Sequence, residues 1–289
     1  MLQRAFLMIL AFMISMQIQT LKCYSSDLED LMITDRIFKS TAIRVYAKKR
    51  SVVGTGFFSK LQQTDSMLMF ISNKHLFEKD TVLELIIPVV DSAYRIVDTF
   101  DILIPLLKKG SILYLTPSDS LDIAAILIKK NFGSKNVGSF SSLPTNFYME
   151  FETLYTGMKV KFYGFPLDIT VNRWSPLVRS GIIAGADSIS RIVYLDAQAF
   201  GGSSGSPVFL DNMGSLSREF TKIHPSKYLV GIISAYKPYV KRLLNVETNK
   251  IEMVQTENSG IAIVIPASEF QSLADSLWSK HARQSMQEK

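Results

Sequence analysis

The sequence predicts an all-β protein with a C-terminal helix, and its strand pattern is consistent with two barrels. Short runs of β-branched and aromatic residues recur along the chain with turn residues between them, as in all-β folds. Helical spacing is found mainly near the end, where Ser268 can cap a helix carrying Phe270, Leu273 and Leu277 on one face. The 289 residues, 47% of them apolar, provide a sizeable core for two barrels, and we expect no third domain.

The predicted strands are short and evenly spread over the chain. A stretch rich in Gly, Ser and Asn at residues 131–154 separates the first group from the second, so the barrels are expected to meet there. We expect the first barrel within residues 26–145, the second barrel and closing helix within 146–283, and a polar tail at 284–289. The predicted strands are 42–47, 54–58, 67–72, 83–88, 123–129, 158–163, 181–184, 191–196, 207–210, 228–234 and 260–265.

The N-terminus has the pattern of an export signal. Arg4 precedes an apolar run too short for a confident membrane span, and small residues at Ser25 and Ser26 offer a cleavage site. We therefore expect residues 1–25 to be removed, leaving no stable membrane span. The single cysteine, Cys23, would leave with them, so the mature chain cannot form disulfides and a bacterial periplasmic or secreted protein is favoured.

Charge and ligand patterns argue against several kinds of partner. The 32 basic and 26 acidic residues give a net charge of +6, and the basic residues are scattered without interleaved aromatic residues. This pattern is typical of solvated surfaces, so we expect no nucleic-acid partner. Paired cysteines, His-x-x-x-His and glycine-rich phosphate loops are absent from the sequence, so we expect neither a metal nor a cofactor.

A glycine-serine turn directly before a strand is the strongest chemical signal in the sequence. Residues 201–207 read Gly-Gly-Ser-Ser-Gly-Ser-Pro, followed by an apolar run. Glycines around a serine allow backbone N–H groups to converge on one point and leave the hydroxyl unobstructed. Ser204 is the candidate nucleophile. A serine hydroxyl needs a base at neutral pH, so a histidine and an orienting carboxylate are expected elsewhere in the chain.

The chain offers three histidines, and His75 is the favoured base. His75 follows an apolar strand-like run and a short polar turn, whereas His224 lies in a polar loop and His281 in the C-terminal region. Asp122 is the favoured carboxylate because it heads a buried-looking strand, where an orienting acid is partly desolvated.

Two other aspartates compete with Asp122. Asp119 is flanked by serines, as in a turn, and Asp101 precedes a similar apolar run.

The order His75, Asp122, Ser204 distinguishes one class of serine hydrolase from others, because convergent families arrange the same residues differently along the chain. Further motifs surround these residues in a fixed order. They are Gly54-Thr55-Gly56-Phe57, Ser72-Asn73-Lys74-His75, Asp122-Ile123-Ala124, Phe162-Tyr163-Gly164-Phe165-Pro166, Arg179-Ser180-Gly181, Gly202-Ser203-Ser204-Gly205-Ser206-Pro207, Val230-Gly231-Ile232 and Gly260-Ile261-Ala262.

With these motifs the chain resembles the chymotrypsin-like serine proteases, in particular the bacterial branch that includes the high-temperature-requirement proteases. The resemblance implies two six-stranded antiparallel Greek-key β-barrels packed face to face, with the active site between them. It implies a serine endopeptidase that uses His75, Asp122 and Ser204 through an acyl-enzyme, with the oxyanion bound by the N–H groups of Gly202 and Ser204. We expect no PDZ-like domain after these motifs, and the sequence leaves the oligomeric state open.

The chain departs from this branch at several positions. Ser203 and Ser206 stand where asparagine and glycine are usual, and the stretches 209–227 and 237–259 are long. By resemblance, Gln198 occupies the position of the acid with which trypsin selects cationic side chains. A neutral amide disfavours such selection.

The same resemblance implies that Ser234, Ala235 and Tyr236 line the substrate pocket. We expect them to leave a shallow pocket for a small or apolar residue.

Two alternatives remain at this stage. An inactive or zymogen-like protein with the same fold would bind peptides or a protein partner without cleaving them. An α/β-hydrolase esterase would use Ser203, since Gly201-Gly202-Ser203-Ser204-Gly205 also fits the Gly-x-Ser-x-Gly pattern.

Overall fold

The protein was analysed as a computed structural model that describes residues 32–47, 52–78, 80–108, 111–130, 139–171, 174–211, 228–245 and 247–287. The expected export signal at 1–25 and His224 lie outside these residues. No helix in the described ranges has the length and apolar character that crossing a membrane requires.

The first half of the chain forms a six-stranded antiparallel sheet. Its strands lie in the order β5-β4-β1-β2-β3-β8, and a small pair, β6 with β7, stands apart. The end strands β5 and β8 do not pair with each other within the described residues. The bounds are β1 Ile43–Ala47, β2 Val52–Lys60, β3 Met67–Ser72, β4 Val82–Val90, β5 Ile96–Pro105, β6 Leu107–Lys108, β7 Ser111–Ile112 and β8 Ala124–Lys129.

The second half forms a closed six-stranded antiparallel barrel in the order β10-β11-β14-β13-β12-β9. Its bounds are β9 Lys159–Gly164, β10 Leu177–Asp187, β11 Ile192–Asp196, β12 Pro207–Leu210, β13 Leu229–Leu244 and β14 Ile251–Pro266. Three helices accompany the sheets within the described residues, namely α1 at residues 32–41, α2 at Lys74–Phe77 and α3 at Ser268–Gln287. Short 3-10 turns cover Thr145–Phe147, Phe151–Thr153 and Pro166–Asp168.

The two halves share one strand order. Within each half, the first three strands are neighbours in sequence order, the fourth lies beside the first, the fifth beside the fourth, and the sixth beside the third. The fourth strand beside the first is the Greek-key arrangement. The predicted all-β, chymotrypsin-like fold with a C-terminal helix is confirmed, with one half closed and the other an open sheet of the same topology. The domain boundaries at 25, 145 and 283 stay predictions.

A shared apolar core joins the two sheets, and α3 supplies much of it. Phe270 of α3 is fully buried, and its ring centroid lies 6.0 Å from that of Phe57 on β2 and 5.5 Å from that of Tyr148. On the other side of this core, Phe38 of α1 stacks on Phe209 of β12 at 4.0 Å. Each half also has a separate inner core of its own.

Strand β5 overlaps none of the predicted strands, and a further difference concerns the last hairpin. The sequence indicates strands at 228–234 and 260–265, whereas β13 and β14 each extend over 16 residues. The added parts are exposed on both faces and carry apolar and polar residues mixed, so they lack the alternation that marks a half-buried strand.

Replacing Phe270 by alanine tests the role of α3 in joining the sheets. Because the ring is fully buried between them, Phe270→Ala should lower the free energy of unfolding by about 3–5 kcal/mol, measured by chemical denaturation. Ser276→Ala, an exposed change in the same helix, should alter it by less than about 0.5 kcal/mol. Equal effects of the two changes would contradict this account of the core.

Candidate active site

A cavity of about 290 Å³ brings together residues from both halves of the chain. Its walls include the three residues that the sequence predicts as a catalytic set. The first half of the chain contributes two of these, and the second half contributes the third together with the remaining wall. The lining residues are His75, Asp122, Ala199, Phe200, Gly201, Ser204, Ile233, Ser234, Ala235 and Tyr236.

His75 is held against Asp122 by two contacts. Strand β3 ends at Ser72, and the short helix α2 then turns the chain so that His75 faces the segment before β8. The backbone N–H of His75 donates to Oδ1 of Asp122 at 2.9 Å, and its Nδ1 lies 2.7 Å from Oδ2. A neutral imidazole that donates from Nδ1 to a carboxylate keeps Nε2 as the proton acceptor.

The Asp122 carboxylate has a further donor, and its backbone is anchored as well. The Ser234 hydroxyl donates to Oδ2 at 3.1 Å, and the Asn73 side-chain amide donates to the Asp122 carbonyl at 2.7 Å. The side chains of His75 and Asp122 are 40% and 32% exposed. The carboxylate is therefore held in one orientation at the edge of the cavity while the imidazole stays accessible.

The competing acids lie elsewhere. Asp119 is fully exposed, and Lys74 contacts it at 3.3 Å. This hydrogen bond raises the pKa of Lys74 above its usual value. Asp101 lies on the edge strand β5, opposite Ile86 of β4. Of the three aspartates weighed from the sequence, only Asp122 contacts His75 within the described residues.

Two glycines determine the shape of the turn at residues 201–207, which contains the candidate nucleophile Ser204 and is called the nucleophile turn below. Gly202 and Gly205 have φ angles of +91° and +82°, in the left-handed region that side chains rarely adopt. A Cβ at Gly202 would lie 2.1 Å from the Phe165 carbonyl oxygen, and one at Gly205 would lie 1.8 Å from the Thr55 carbonyl oxygen. No other residue type fits at either position without moving the backbone.

Two N–H groups of the turn have no acceptor among the described residues, although Gly202 itself is buried and lies outside the cavity lining. The N–H of Ser203 donates to Phe200 at 2.9 Å, and that of Gly205 donates to Ile233 at 2.7 Å. The N–H groups of Gly202 and Ser204 donate to no oxygen of the described residues. Two such donors in one tight turn suit a developing negative charge on oxygen.

Thr55 on β2 ties this turn to the first sheet. Its hydroxyl donates to the Gly202 carbonyl at 2.9 Å and accepts from the Phe165 N–H at 3.3 Å, while its own N–H donates to the Ser204 carbonyl at 2.7 Å. From the sequence, Thr55 is recognised only as part of the Gly54-Thr55-Gly56 motif, with no role for its hydroxyl. The sequence signal that could have indicated such a role is a polar residue between two glycines in a buried strand.

The Ser204 hydroxyl points along the wall of the cavity. Its only side-chain hydrogen bond in the described ranges goes to the Ser234 carbonyl, at a long 3.4 Å. In this arrangement the hydroxyl donates to that carbonyl and not to the imidazole. Catalytic hydrogen bonds are often long or misaligned without substrate and tighten when it binds.

The alternative built on Ser203 is contradicted by the structure. Ser203 is 1% exposed, and its Oγ accepts from the Phe200 N–H at 3.3 Å. The turn leads into strand β12, not into a helix, and the sheets are antiparallel throughout. An α/β-hydrolase needs strand-turn-helix around an exposed serine.

The predicted specificity residues divide into two groups. Ser234, Ala235 and Tyr236 line the cavity, with Tyr236 38% exposed at its rim. Gln198 is exposed and lies outside the lining, where Ala199 and Phe200 take part instead. Within the described residues, no group of three or more acidic, histidine or cysteine side chains could hold a metal ion.

Only the comparison with solved structures found proteins similar to this chain. No protein-family model and no curated protein matches the chain. A Ser-to-Ala variant of the HtrA-type protease AlgW with a tripeptide is similar over 85% of this chain and 62% of its own, at 13% identity and a TM-score of 0.49. AlgW with a tripeptide is similar over 84% and 64%, at 15% identity and a TM-score of 0.47.

The protease domain of MamO from Magnetospirillum magneticum, in its apo form, is similar over 81% of this chain and 95% of its own. The identity is 15% and the TM-score 0.47. By contrast, the chain spans less than two thirds of the length of each AlgW chain. At these identities and TM-scores the likeness does not bear on function, and the fold assignment rests on strand order.

Adjacent glycines in the nucleophile turn provide a matched test of its geometry. Gly202→Ala combines a positive φ with a 2.1 Å clash against backbone, so it should lower the free energy of unfolding by about 2 kcal/mol or more. At Gly201 nothing lies within 4 Å of an added methyl group, so Gly201→Ala should change it by less than about 0.5 kcal/mol. Chemical denaturation of both variants measures the difference, and equal values would refute the described turn.

Proposed function

We propose that the protein is a serine endopeptidase with Ser204 as nucleophile, His75 as general base and Asp122 as the orienting carboxylate. The observation that carries the proposal is the 2.7 Å contact between His75 Nδ1 and Asp122, in a cavity that Ser204 also lines. The unused N–H groups of Gly202 and Ser204 support the assignment of an oxyanion hole.

The chemistry follows from these roles. Ser204 Oγ attacks the carbonyl carbon of a peptide bond and its proton passes to His75 Nε2, while the carbonyl oxygen becomes an oxyanion bound by the two N–H groups. The C–N bond then breaks, and His75 returns the proton to the departing amine. Water attacks the resulting acyl-enzyme by the same route, releasing the acid and restoring Ser204.

The environment of Asp122 suits its role in this sequence of steps. Its carboxylate accepts from the His75 backbone, the imidazole and the Ser234 hydroxyl, and these three bonds fix its orientation beside the ring. A fixed negative charge beside Nδ1 holds the required tautomer and stabilises the imidazolium that forms when Ser204 loses its proton.

The cavity supports a preference for a small or apolar residue next to the scissile bond. Among the described residues, the only carboxylate in its lining is Asp122, which is engaged with His75, so a cationic side chain finds no free counter-ion among them. Polypeptide is accordingly the proposed substrate. The expected export signal at residues 1–25 makes a periplasmic or secreted enzyme part of the proposal.

One observation favours a second candidate, a protease-fold protein that binds peptides without cleaving them. The Ser204 hydroxyl is directed at the Ser234 carbonyl, and a site fixed in that arrangement would bind an extended peptide but would not activate the serine. Reaction of Ser204 with a serine-directed inhibitor separates the two candidates.

Neighbouring serines provide the decisive variants for the nucleophile. A fluorophosphonate should label the purified protein at Ser204, located by mass spectrometry of the digest. Ser204→Ala should abolish labelling and lower kcat/KM on an unfolded protein substrate by about 10⁴-fold or more. Ser203→Ala should leave the site of labelling unchanged. Proteolysis that survives in Ser204→Ala would overturn the assignment, and a folded but unlabelled wild-type protein would favour the binding-only candidate.

The orienting role of Asp122 predicts a large effect of a nearly isosteric change. Asp122→Asn should lower kcat by roughly 10⁴-fold, because an amide donor at Nδ1 favours the wrong imidazole tautomer. Asp119→Asn is the control, since Asp119 contacts Lys74 at the surface, and it should leave kcat within about twofold. Steady-state kinetics on one peptide measures both, and comparable losses would argue against Asp122 in this role.

A further inference from the structure

Strands β13 and β14 continue beyond the barrel as a two-stranded ribbon, defined here as residues 237–245 and 247–258. Their pairing runs outward as far as Leu244 with Ile251. Isolated two-stranded hairpins are marginally stable in water, and large exposed apolar patches mark interaction sites. The ribbon exposes large apolar side chains at 47–58% of their surface, namely Tyr239, Val240, Leu243, Leu244, Ile251, Met253 and Val254.

One edge of the ribbon leads directly into the candidate active site. Within the barrel, β13 pairs on one side with β12, through residues Leu229 to Ile232, and on the other side with β14. Beyond Ile233, the only strand that pairs with β13 among the described residues is β14. The edge left by β12 therefore starts at Ser234, whose carbonyl oxygen lies 3.4 Å from Ser204 Oγ.

We propose that this outer edge of β13 binds the extended segment of a polypeptide substrate that precedes the scissile bond, well beyond the cavity. The inference rests on the proposed function and adds to it a class of substrate, namely unfolded chains with a long apolar, strand-forming segment. The substrate would add to the ribbon as a third strand, by main-chain hydrogen bonds.

The direction of this strand follows from the barrel. Every strand pair in it is antiparallel, so an added strand is expected to run opposite to β13. Because β13 runs away from Ser234 toward the tip, the substrate would run from the tip toward the nucleophile. Its residues before the scissile bond thus lie on the ribbon, over roughly 25–30 Å at ~3.3 Å per residue.

The position of the edge favours a substrate over a second copy of the chain. A strand that pairs with this edge along its whole length ends beside Ser204, where its carbonyl group can react. Strand β13 also presents apolar surface to a bound strand, because the side chains of Tyr239, Val240 and Leu243 are exposed. Pro238 lacks an N–H and is of a residue type found on edge strands.

The ribbon offers a matched pair of variants. Leu243 on β13 and Met253 on β14 lie opposite each other and are 47% and 57% exposed, but only Leu243 borders the proposed edge. Leu243→Asp should weaken binding of a long segment, whereas Met253→Asp, one strand further away, should have little effect. Both residues are exposed, so neither change removes buried packing.

The kinetic test uses reduced, carboxymethylated α-lactalbumin to identify a cleaved bond, then two synthetic peptides with three or twelve residues before that bond. Wild-type kcat/KM should be at least about tenfold higher for the long peptide. The long-to-short ratio should fall about fivefold in Leu243→Asp and stay unchanged in Met253→Asp. Equal rates for the two peptides, or equal falls in both variants, would overturn the proposal.

Main-chain pairing has its own readout. In an antiparallel ladder alternate N–H groups face the neighbouring strand, so the long peptide is made with N-methyl groups on odd or on even residues of its distal part. One methylated series should lose the advantage of length and the other should keep it. Equal behaviour of the two series would show that the segment is not bound as a strand.

A binding measurement separates this inference from the proposed chemistry. Fluorescein-labelled carboxymethylated α-lactalbumin is titrated with the full chain carrying Ser204→Ala, alone and with each ribbon change, and anisotropy is recorded. Weaker binding with Leu243→Asp but not with Met253→Asp supports the ribbon site even if fluorophosphonate fails to label Ser204. If Ser204 is labelled but the two ribbon variants bind equally well, the ribbon site is refuted and the proposed endopeptidase function still stands.

Discussion

The contact between β2 and the nucleophile turn is the constraint on which the site depends. Thr55 bonds through its N–H to Ser204 and through its hydroxyl to Gly202, and its carbonyl occupies the space that a side chain at Gly205 would need. The turn is therefore shaped by a strand of the other sheet. The bonds from Thr55 to Ser204 and Gly202 exist only while the two halves of the chain remain docked.

The apolar core shared by the sheets maintains that docking. Helix α3 inserts Phe270 beside β2, and α1 stacks Phe38 on Phe209 of β12, the strand that follows the nucleophile turn. Both helices lie away from the cavity lining but support the strands that border it. Packing of this kind is stiff, because interiors as dense as organic crystals do not allow side chains to shift independently.

Much of the fold and site could be predicted from sequence because the signals were local. Buried strands alternate or run apolar, and the glycine-serine turn with His75 and Asp122 stands at the ends of such strands. The outer parts of β13 and β14 escaped notice since neither face is buried, which removes the period-two pattern.

The placement of Gln198 could not be obtained by counting residues back from Ser204. The path of the chain there is set by tertiary contacts, such as the bond from the Asn258 amide to the Ala199 carbonyl at 2.6 Å. Thr55 was recognised only as part of a motif, because its partners are far away in sequence.

The distances along the chain between partners at the site bear on when it forms. His75 and Asp122 are 47 positions apart, Ser234 and Asp122 are 112 apart, and Thr55 and Gly202 are 147 apart. Contacts of such long range must close long loops of chain before they contribute, which slows folding. A partly folded chain in which they have not formed lacks the assembled site, so the proposed chemistry would be confined to the completed fold.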